Sequence, residues 1–399
     1  MSDSGYPESD VAVESTDPSE LKERIDRGEP VTILDVRAQS EFEEWHLDGP
    51  SVEIANVPYF EFIEEEGDLS DELLDRVPSG EPLVVVCAKG GSSEYVAGLL
   101  VAEGYEATNL AEGMNGWARI YEAVEIETDG DATVLQYQRP SSGCLAYLVV
   151  DGDAAAVVDP LRAFADRYVD DARERGAELV YAIDTHVHAD HVSGVRALVE
   201  TYDVEAVVPA RAEARGIDYD VPYTTVEDGD VLTVGGTDVE VVSTPGHTTG
   251  MTSYRVDDVL FTGDGLFTES VARPDLEEGD EGAPDAARTL YRSLHERVLT
   301  VPDDTIVAPA HFSDAATPAE DGTYTATVGD LEARMGALSM DEDDFVEFVL
   351  SDMPPRPANF EEIIATNLGQ QDVDDEEAFE LELGPNNCAA SRDALTGDD

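Results

Sequence analysis

The chain has 399 residues and carries 90 Asp and Glu against 23 Lys and Arg, a formal net charge of −67 at pH 7. The acids run along the whole length, which makes nucleic acid and anionic membranes poor partners. A hydrophobic fraction of 42% is ordinary for a globular protein, so the charge does not imply disorder. Self-repulsion of this size strains a compact state at ordinary salt, whereas at ~1 M salt the Debye length is about 3 Å and the repulsion is screened. The composition therefore predicts adaptation to a salt-rich cytoplasm. Three cysteines, Cys87, Cys144 and Cys388, are too few and too scattered for a disulfide framework and fit a reducing compartment. The N-terminal MSDSGYPESD has neither a basic start nor an apolar core. No apolar run approaches the roughly 18 residues of a membrane span. A soluble cytoplasmic protein is expected, with its oligomeric state, a homo-oligomer included, left open.

Residues 1–15 read as a polar, acidic leader. Over 16–127 helices and strands alternate: a helix over 18–27 stopped by Gly28, a buried strand over 31–36, and a strand over 83–87. A helix over 93–103 then places Val96, Leu99 and Leu100 on one face, and a short strand covers 107–110. This pattern predicts an α/β domain with a parallel sheet. After a turn at 128–131 the texture changes to consecutive strands over 133–138, 145–150 and 154–158, and a second domain over 128–385 begins. It continues with a helix over 162–175, a strand over 178–183, a helix over 194–202 and a strand over 204–208. Strands over 231–234, 239–242, 252–256 and 259–262, a helix over 286–299, a strand over 305–307 and a C-terminal helical segment complete it. Strands grouped in hairpins with interleaved helices predict a sandwich of two sheets faced by helices. Residues 386–399 return to a polar tail, where Cys388 reads as incidental.

Histidine is scarce, seven in the chain, yet three fall in His186-Val187-His188-Ala189-Asp190-His191. That cluster follows a predicted buried strand, so it sits where α/β proteins place their chemistry. His247, Asp264 and His311 each follow another predicted strand. Imidazole and carboxylate groups delivered from separate strand ends can converge on a divalent metal and leave one coordination position open.

These seven residues resemble the ligand pattern of the metallo-β-lactamase superfamily over roughly 130–370, which implies an αββα sandwich. The resemblance implies His186, His188 and His247 as one metal site, Asp190, His191 and His311 as a second, and Asp264 between them. Glyoxalase II-like hydrolases of this superfamily use two metals, whereas persulfide dioxygenases keep most of these residues and bind one iron. The stretch Gly263-Asp264-Gly265-Leu266-Phe267 with Ala272-Arg273-Pro274-Asp275-Leu276 looks like the latter group's signature, with Ala272 in place of its Gly. Pro354-Pro355-Arg356-Pro357-Ala358-Asn359-Phe360 followed by Asn367-Leu368-Gly369 is similar to that group's C-terminal segment. On this resemblance Fe(II), one per chain, would be held by His186, His247 and Asp264, and Arg273 would hold an anionic group of the thiol substrate.

Cys87 ends the apolar run Leu83-Val84-Val85-Val86 and precedes Ala88-Lys89-Gly90-Gly91-Ser92-Ser93, which leads into a helix. Backbone N–H groups of such a turn, with the helix dipole and Lys89, would lower a thiol pKa and cradle an anion, making Lys89, Gly90, Gly91 and Ser92 binding candidates. An inert buried cysteine is the alternative. Asp35-Val36-Arg37, Glu41-Phe42 with His46, and Gly113-Met114-Asn115-Gly116-Trp117 complete a resemblance to a rhodanese domain over 16–125, with Cys87 as its sulfur carrier. Ser92 stands where many rhodaneses have Arg, which implies a weaker grip on thiosulfate. Among the remaining candidates, Cys144 reads as core packing, His46 as a capping or packing residue, His295 as a surface residue, and Trp45 and Trp117 as core or interface aromatics.

The resemblances together imply a sulfur-metabolism enzyme in which a low-molecular-weight thiol persulfide reacts with O₂ to give sulfite and free thiol. Cys87 would pass sulfane sulfur, with sulfite or thiosulfate as partner. A hydrolase that uses two Zn to cleave a thioester, and a non-enzymatic sulfur carrier or sensor, are the two alternatives.

Overall fold

The computed structural model describes residues 11–64, 69–80, 82–351 and 353–390. Most of the predicted leader (residues 1–10) and most of the predicted tail (391–399) lie outside the described residues. The chain divides into two compact units, Met1–Ile120 and Tyr121–Asp399.

In the first unit five parallel strands pair in the order Glu14–Thr16, Ala107–Leu110, Leu83–Val86, Val31–Asp35 and Val52–Asn56. Side chains alternate across the central strand. Val84 and Val86 pack with Leu21, Leu110 and Trp117 on one face, and Leu83, Val85 and Cys87 with Phe62, Val96 and Leu100 on the other. A strand covered on both faces must be apolar at every position, which explains the unbroken run before Cys87. Each of these buried aliphatic side chains contributes about 1.5–3 kcal/mol relative to exposure. Helix Pro18–Asp26 starts with Asp17 accepting from the Ser19 and Glu20 amides and with Pro18 at its first position.

The second unit has two sheets. One runs in the order Tyr223–Val226, Glu205–Pro209, Glu178–Ile183, Ala154–Val158, Cys144–Asp151, Thr133–Arg139 and Glu122–Ile126, parallel over the first four and antiparallel after. The other runs Val231–Val234, Thr237–Ser243, Thr252–Val256, Val259–Gly263, Ile306–Pro309 and Ala326–Thr327. Between them pack Tyr147, Val158, Ile183 and Val207 against Val241, Tyr254, Phe261 and Ala308. The intervening residues Leu148, Val157 and Ala182 face helices Ala165–Glu174 and Val195–Thr201, and Leu260 and Val307 face helix Gly279–Glu296. The result is the expected four-layer αββα sandwich. Among the described residues no helix is long and apolar enough to cross a membrane.

The sequence reading and the structure differ in places. The composition change puts a domain boundary at 127/128, yet Glu122–Ile126 pairs with Thr133–Arg139 and opens the second unit. Its sequence Glu-Ala-Val-Glu-Ile shows no period-two alternation and only Ile126 is buried on this edge strand, which hides it among loops. The helix expected over 286–299 starts earlier, at Gly279, and runs through Pro284. The expected polar tail is not solvated at its start. Cys388 and Ala390 are fully buried, and Ala389 bridges Ala272.

Candidate functional site

His186, His247, Asp264 and His311 all sit just past strand ends of the two sheets, so the sandwich brings them to one edge. Gly263 makes the delivery of Asp264 possible: it takes φ 52°, and a Cβ there would lie 2.5 Å from Thr185 Oγ1. His186 Nε2 lies 3.6 Å and His247 Nε2 3.5 Å from Asp264 Oδ2, with all three side chains buried. Among the described residues His186 Nε2 and Asp264 Oδ2 have no hydrogen-bond partner. Two buried, unpartnered atoms facing each other is an arrangement that a bound cation resolves.

The other ring nitrogens fix the tautomers. His247 Nδ1 donates to the Arg273 carbonyl at 2.8 Å, leaving Nε2 as a lone pair. His186 Nδ1 lies 2.9 Å from Thr185 Oγ1, which itself donates to Asp159 Oδ2 at 3.0 Å, so the histidine is the donor in that pair. Asp159 Oδ1 also takes the Thr185 amide and faces His188 Nε2 at 3.1 Å. Burial drives His186 down to about 3 and lowers His247, so both rings are neutral. Burial alone would raise the Asp264 carboxyl, but the facing His311 and His186 hold it well below the usual carboxylate range.

A second cluster adjoins the first. His311 Nε2 lies 2.7 Å from Asp190 Oδ2 and His311 Nδ1 2.5 Å from Asp264 Oδ1, so both ring nitrogens face carboxylates. Burial would lower His311, but Asp190 and Asp264 outweigh it and raise the ring well above the ordinary histidine range, giving an imidazolium. His191 Nδ1 reaches the same Asp190 Oδ2 at 3.1 Å. Cys388 lies with Asp190, Asp264 and His311 in one group whose ligand atoms are all within 4.8 Å of one another.

In the first unit Cys87 stands at the end of the central strand, and helix Gly91–Ala102 begins just after it. Its Sγ accepts from the Gly90 amide at 3.0 Å, and Ser93 Oγ stands 3.0 Å away, its one proton also facing Asn109 Oδ1 at 2.7 Å and the Gly90 carbonyl at 3.1 Å. Behind it Gly113, at φ 58°, approaches so closely that a Cβ would lie 2.1 Å from the Cys87 carbonyl oxygen. The Gly90 amide and the adjacent Ser93 hydroxyl give this sulfur a polar surrounding. Ser92 is buried beside Ser93, and the loop presents Lys89 as its one cationic side chain.

Several sequence expectations change here. His188 is not grouped with His186 and His247; its Nε2 faces Asp159, and its nearest acids are Asp159 and Asp184. Arg273, expected to hold a substrate anion, is buried and donates to Asp275, to the Pro355 carbonyl and to the Asn387 carbonyl. It clamps the C-terminal segment, and its own carbonyl orients His247. Cys388 is part of the site's wall. Asp159, Asn367 and Ser93 join the site without a role that the sequence assigns them. Asn367 Nδ2 donates to the His188 and His191 carbonyls, and its Oδ1 accepts the Ser193 amide. The one sequence signal for it is the Asn367-Leu368-Gly369 segment itself. His46 stacks on Phe42, and Trp45 and Trp117 pack in one core cluster.

Residues 140–311 match the family described as Metallo-beta-lactamase superfamily, and residues 17–120 match the Rhodanese-like domain. The chain is a rhodanese-like domain fused to a metallo-β-lactamase domain. It is 29% identical over 237 residues to Persulfide dioxygenase ETHE1, mitochondrial, of Homo sapiens, covering 58% of this chain and 86% of that protein. It is 38% identical over 143 residues to Hydroxyacylglutathione hydrolase of Brucella anthropi, covering 35% of this chain and 50% of that protein. Among solved structures, ETHE1 from Myxococcus xanthus is similar with a TM-score of 0.50 and 27% identity, covering 59% of this chain and 98% of that one. A metallo-beta-lactamase from Staphylococcus aureus subsp. aureus COL gives a TM-score of 0.55 and 25% identity, covering 61% and 75%.

Proposed function

We propose that this protein oxidises a low-molecular-weight thiol persulfide with O₂ at a single ferrous centre, and that Cys87 exchanges sulfane sulfur with the same pool. The observation that carries the reading is how the expected ligands divide. His186, His247 and Asp264 Oδ2 converge, whereas His311 is engaged through both ring nitrogens by Asp190 and Asp264. Two imidazoles and one carboxylate with open positions form the ligand set of non-haem iron oxygenases. Ferrous iron there would supply a meeting point for O₂ and the terminal sulfur. The chain's own residues prepare it. Asp159, through Thr185, keeps the His186 Nε2 lone pair available, and the Arg273 carbonyl does the same for His247. The His311 proton occupies Asp264 Oδ1 and leaves Oδ2 as the donor. The reaction balances as R–S–SH + O₂ + H₂O giving R–SH, sulfite and two protons, with the sulfane sulfur losing four electrons to O₂. Similarity to a persulfide dioxygenase along 86% of its length supports this reading. The similarity to a hydroxyacylglutathione hydrolase and the presence of all seven ligand residues favour the rival, a two-zinc thioester hydrolase. That rival requires Asp190 and His311 to release each other.

At Cys87, a persulfide meeting sulfite would return the thiol and yield thiosulfate, the terminal sulfur moving to sulfite. Metal analysis of anaerobically purified protein, with O₂ uptake on glutathione persulfide, tests the reading. One iron per chain and sulfite matching O₂ consumed are expected. Two zincs per chain with O₂-independent cleavage of a glutathione thioester would overturn it.

A further inference from the structure

A cavity of about 260 Å³ opens beside helix Val195–Thr201 and takes no part in the proposed reaction. The buried residues Ser193, Thr366 and Asn367 form its inner wall, and Val192, Val373 and the Tyr219 ring its apolar side. Two cations line it. Arg162 is held by the exposed Asp375, through Nε and Nη2 at 3.0 and 2.8 Å. Arg196 lies over Tyr219, 5.6 Å from the ring centroid. Its Nη1 is 3.3 Å from the Thr366 carbonyl and its Nη2 3.3 Å from both Asp220 and Asp372, each longer than the roughly 2.7–3.2 Å of an ordinary N–H···O bond. Arg196 Nε and Thr366 Oγ1 are buried and have no hydrogen-bond partner among the described residues. The remaining charged residues of the lining, Glu200, Asp220 and Asp372, are exposed. The cavity is therefore polarised, with donors at depth and carboxylates toward solvent.

We infer that this cavity is a binding site for a free α-amino acid with an apolar side chain. The carboxylate would accept from Arg196 Nε and Thr366 Oγ1, the ammonium would face Asp220 and Asp372, and the side chain would lie against Tyr219, Val192 and Val373. A plain anion satisfies the inner donors but meets three acids on the same lining, whereas a zwitterion satisfies both ends. An apolar side chain suits the remaining wall, in the way small-molecule sites combine apolar lining with a few placed polar groups. The site stands whichever reaction the metal carries. Its inner wall is also the clamp on the metal loop: Asn367 Oδ1 accepts the Ser193 amide, its Nδ2 donates to the His188 and His191 carbonyls, and Tyr219 Oη donates to the Asn367 carbonyl at 2.7 Å. An amino acid seated there bears directly on that clamp.

Calorimetric titration of the full chain in multi-molar salt tests this with L-leucine and with 4-methylpentanoate, the same molecule without its ammonium. Leucine should bind at one site per chain, and 4-methylpentanoate about tenfold or more weaker. Thr366→Val keeps the shape of the wall, loses the hydroxyl, and should weaken leucine by about tenfold. The Asp220→Asn/Asp372→Asn double variant should weaken leucine similarly and leave 4-methylpentanoate no weaker. Hydrogen exchange with leucine bound should show added protection over 192–200 and 363–373. Absence of saturable leucine binding, equal affinity for the two ligands, or protection confined to other segments overturns the site. Wild-type affinity in Thr366→Val overturns it too, since leucine would then sit elsewhere, the metal included. Should Thr366→Val fail to give the wild-type circular dichroism spectrum, the two ligands compared on the wild type and on the exposed Asp220→Asn/Asp372→Asn variant decide: wild-type leucine affinity in that variant refutes the assignment.

Discussion

Asn367 holds the loop that carries His188 and His191 by three hydrogen bonds of 2.8–3.0 Å, and Asn367→Ala removes all of them. At about 1 kcal/mol net per bond the loss is ~3 kcal/mol, and leaving buried carbonyls and an amide unsatisfied carries it to about 6 kcal/mol. For a unit of this size roughly 2 °C of melting temperature is lost per kcal/mol, so Asn367→Ala should lower the calorimetric transition by about 6–12 °C. The same loop begins with His186 of the proposed triad, and loss of groups that support a ligand loop typically weakens metal affinity about 10–100-fold. Asn367→Asp sharpens the test, since it preserves shape and the acceptor for Ser193 N but turns a carboxylate oxygen toward two carbonyl oxygens. It should be at least as damaging as Ala. Calorimetry together with competitive chelator titration of both variants is the assay. Wild-type melting and metal affinity in Asn367→Asp would refute the clamp.

Exposing the protein to a persulfide donor should add a single sulfur to Cys87 by mass, and Cys87→Ser should abolish thiosulfate formation while O₂ uptake on a free small persulfide continues. Ser93→Ala, removing the hydroxyl that stands 3.0 Å from Sγ, should slow sulfur transfer by up to about fivefold for ~1 kcal/mol, measured as thiosulfate formation rate. Burial would raise the Asp275 carboxyl, but its bonds to Arg273 and Arg356 lower it below the ordinary value. A folded value below the unfolded one stabilises above the unfolded value and is lost as pH falls through the folded one. Melting temperature should therefore fall more steeply on acidification in the wild type than in Asp275→Asn, and parallel curves would count against the clamp. Dialysis from multi-molar to ~0.1 M salt should reduce secondary structure by circular dichroism, because the net charge of −67 loses its screening.

What could be read from the sequence follows from how much chemistry each segment concentrates. The run His186-Val187-His188-Ala189-Asp190-His191 is legible because histidine is rare here and the spacing is dense. Asp159 was invisible: one Asp before a Pro in a chain full of acids carries no signal, yet it takes φ 52° and three hydrogen bonds behind the metal loop. Strands Glu122–Ile126 and Val52–Asn56 are as hard to read, since both are short and only Ile126 among their ten residues is buried. Cys388 was hidden by its neighbours, as Asn386-Asn387 reads as a polar turn while Arg273 N and the Asn386 side chain hold the segment inside. Arg273 was legible as important, but its chemistry was not. Whether a guanidinium faces a substrate or a carbonyl depends on the Pro355 and Asn387 backbone, more than 80 residues further along the chain.

The few cations explain how so acidic a chain keeps its sites in place. Arg37 pairs with Asp35, Arg139 with Glu382 and Arg273 with Asp275, and in every pair both side chains are nearly fully buried. Arg37 also donates to the Trp45 carbonyl, pinning the end of helix Gln39–Glu44. Glu382 spends its second oxygen on the Val192 amide, directly after His191, so the Arg139 pair anchors the metal loop. Arg273 anchors both His247 and the segment that carries Cys388. Removing one partner of such a pair costs about 3–5 kcal/mol, whereas an exposed pair contributes at most about 1 kcal/mol and is screened by salt. Surface repulsion and internal clamping therefore respond differently to the solvent. Salt should change whether the chain stays compact, and should leave unchanged the buried arginine pairs that hold the loop through His191 and orient His247.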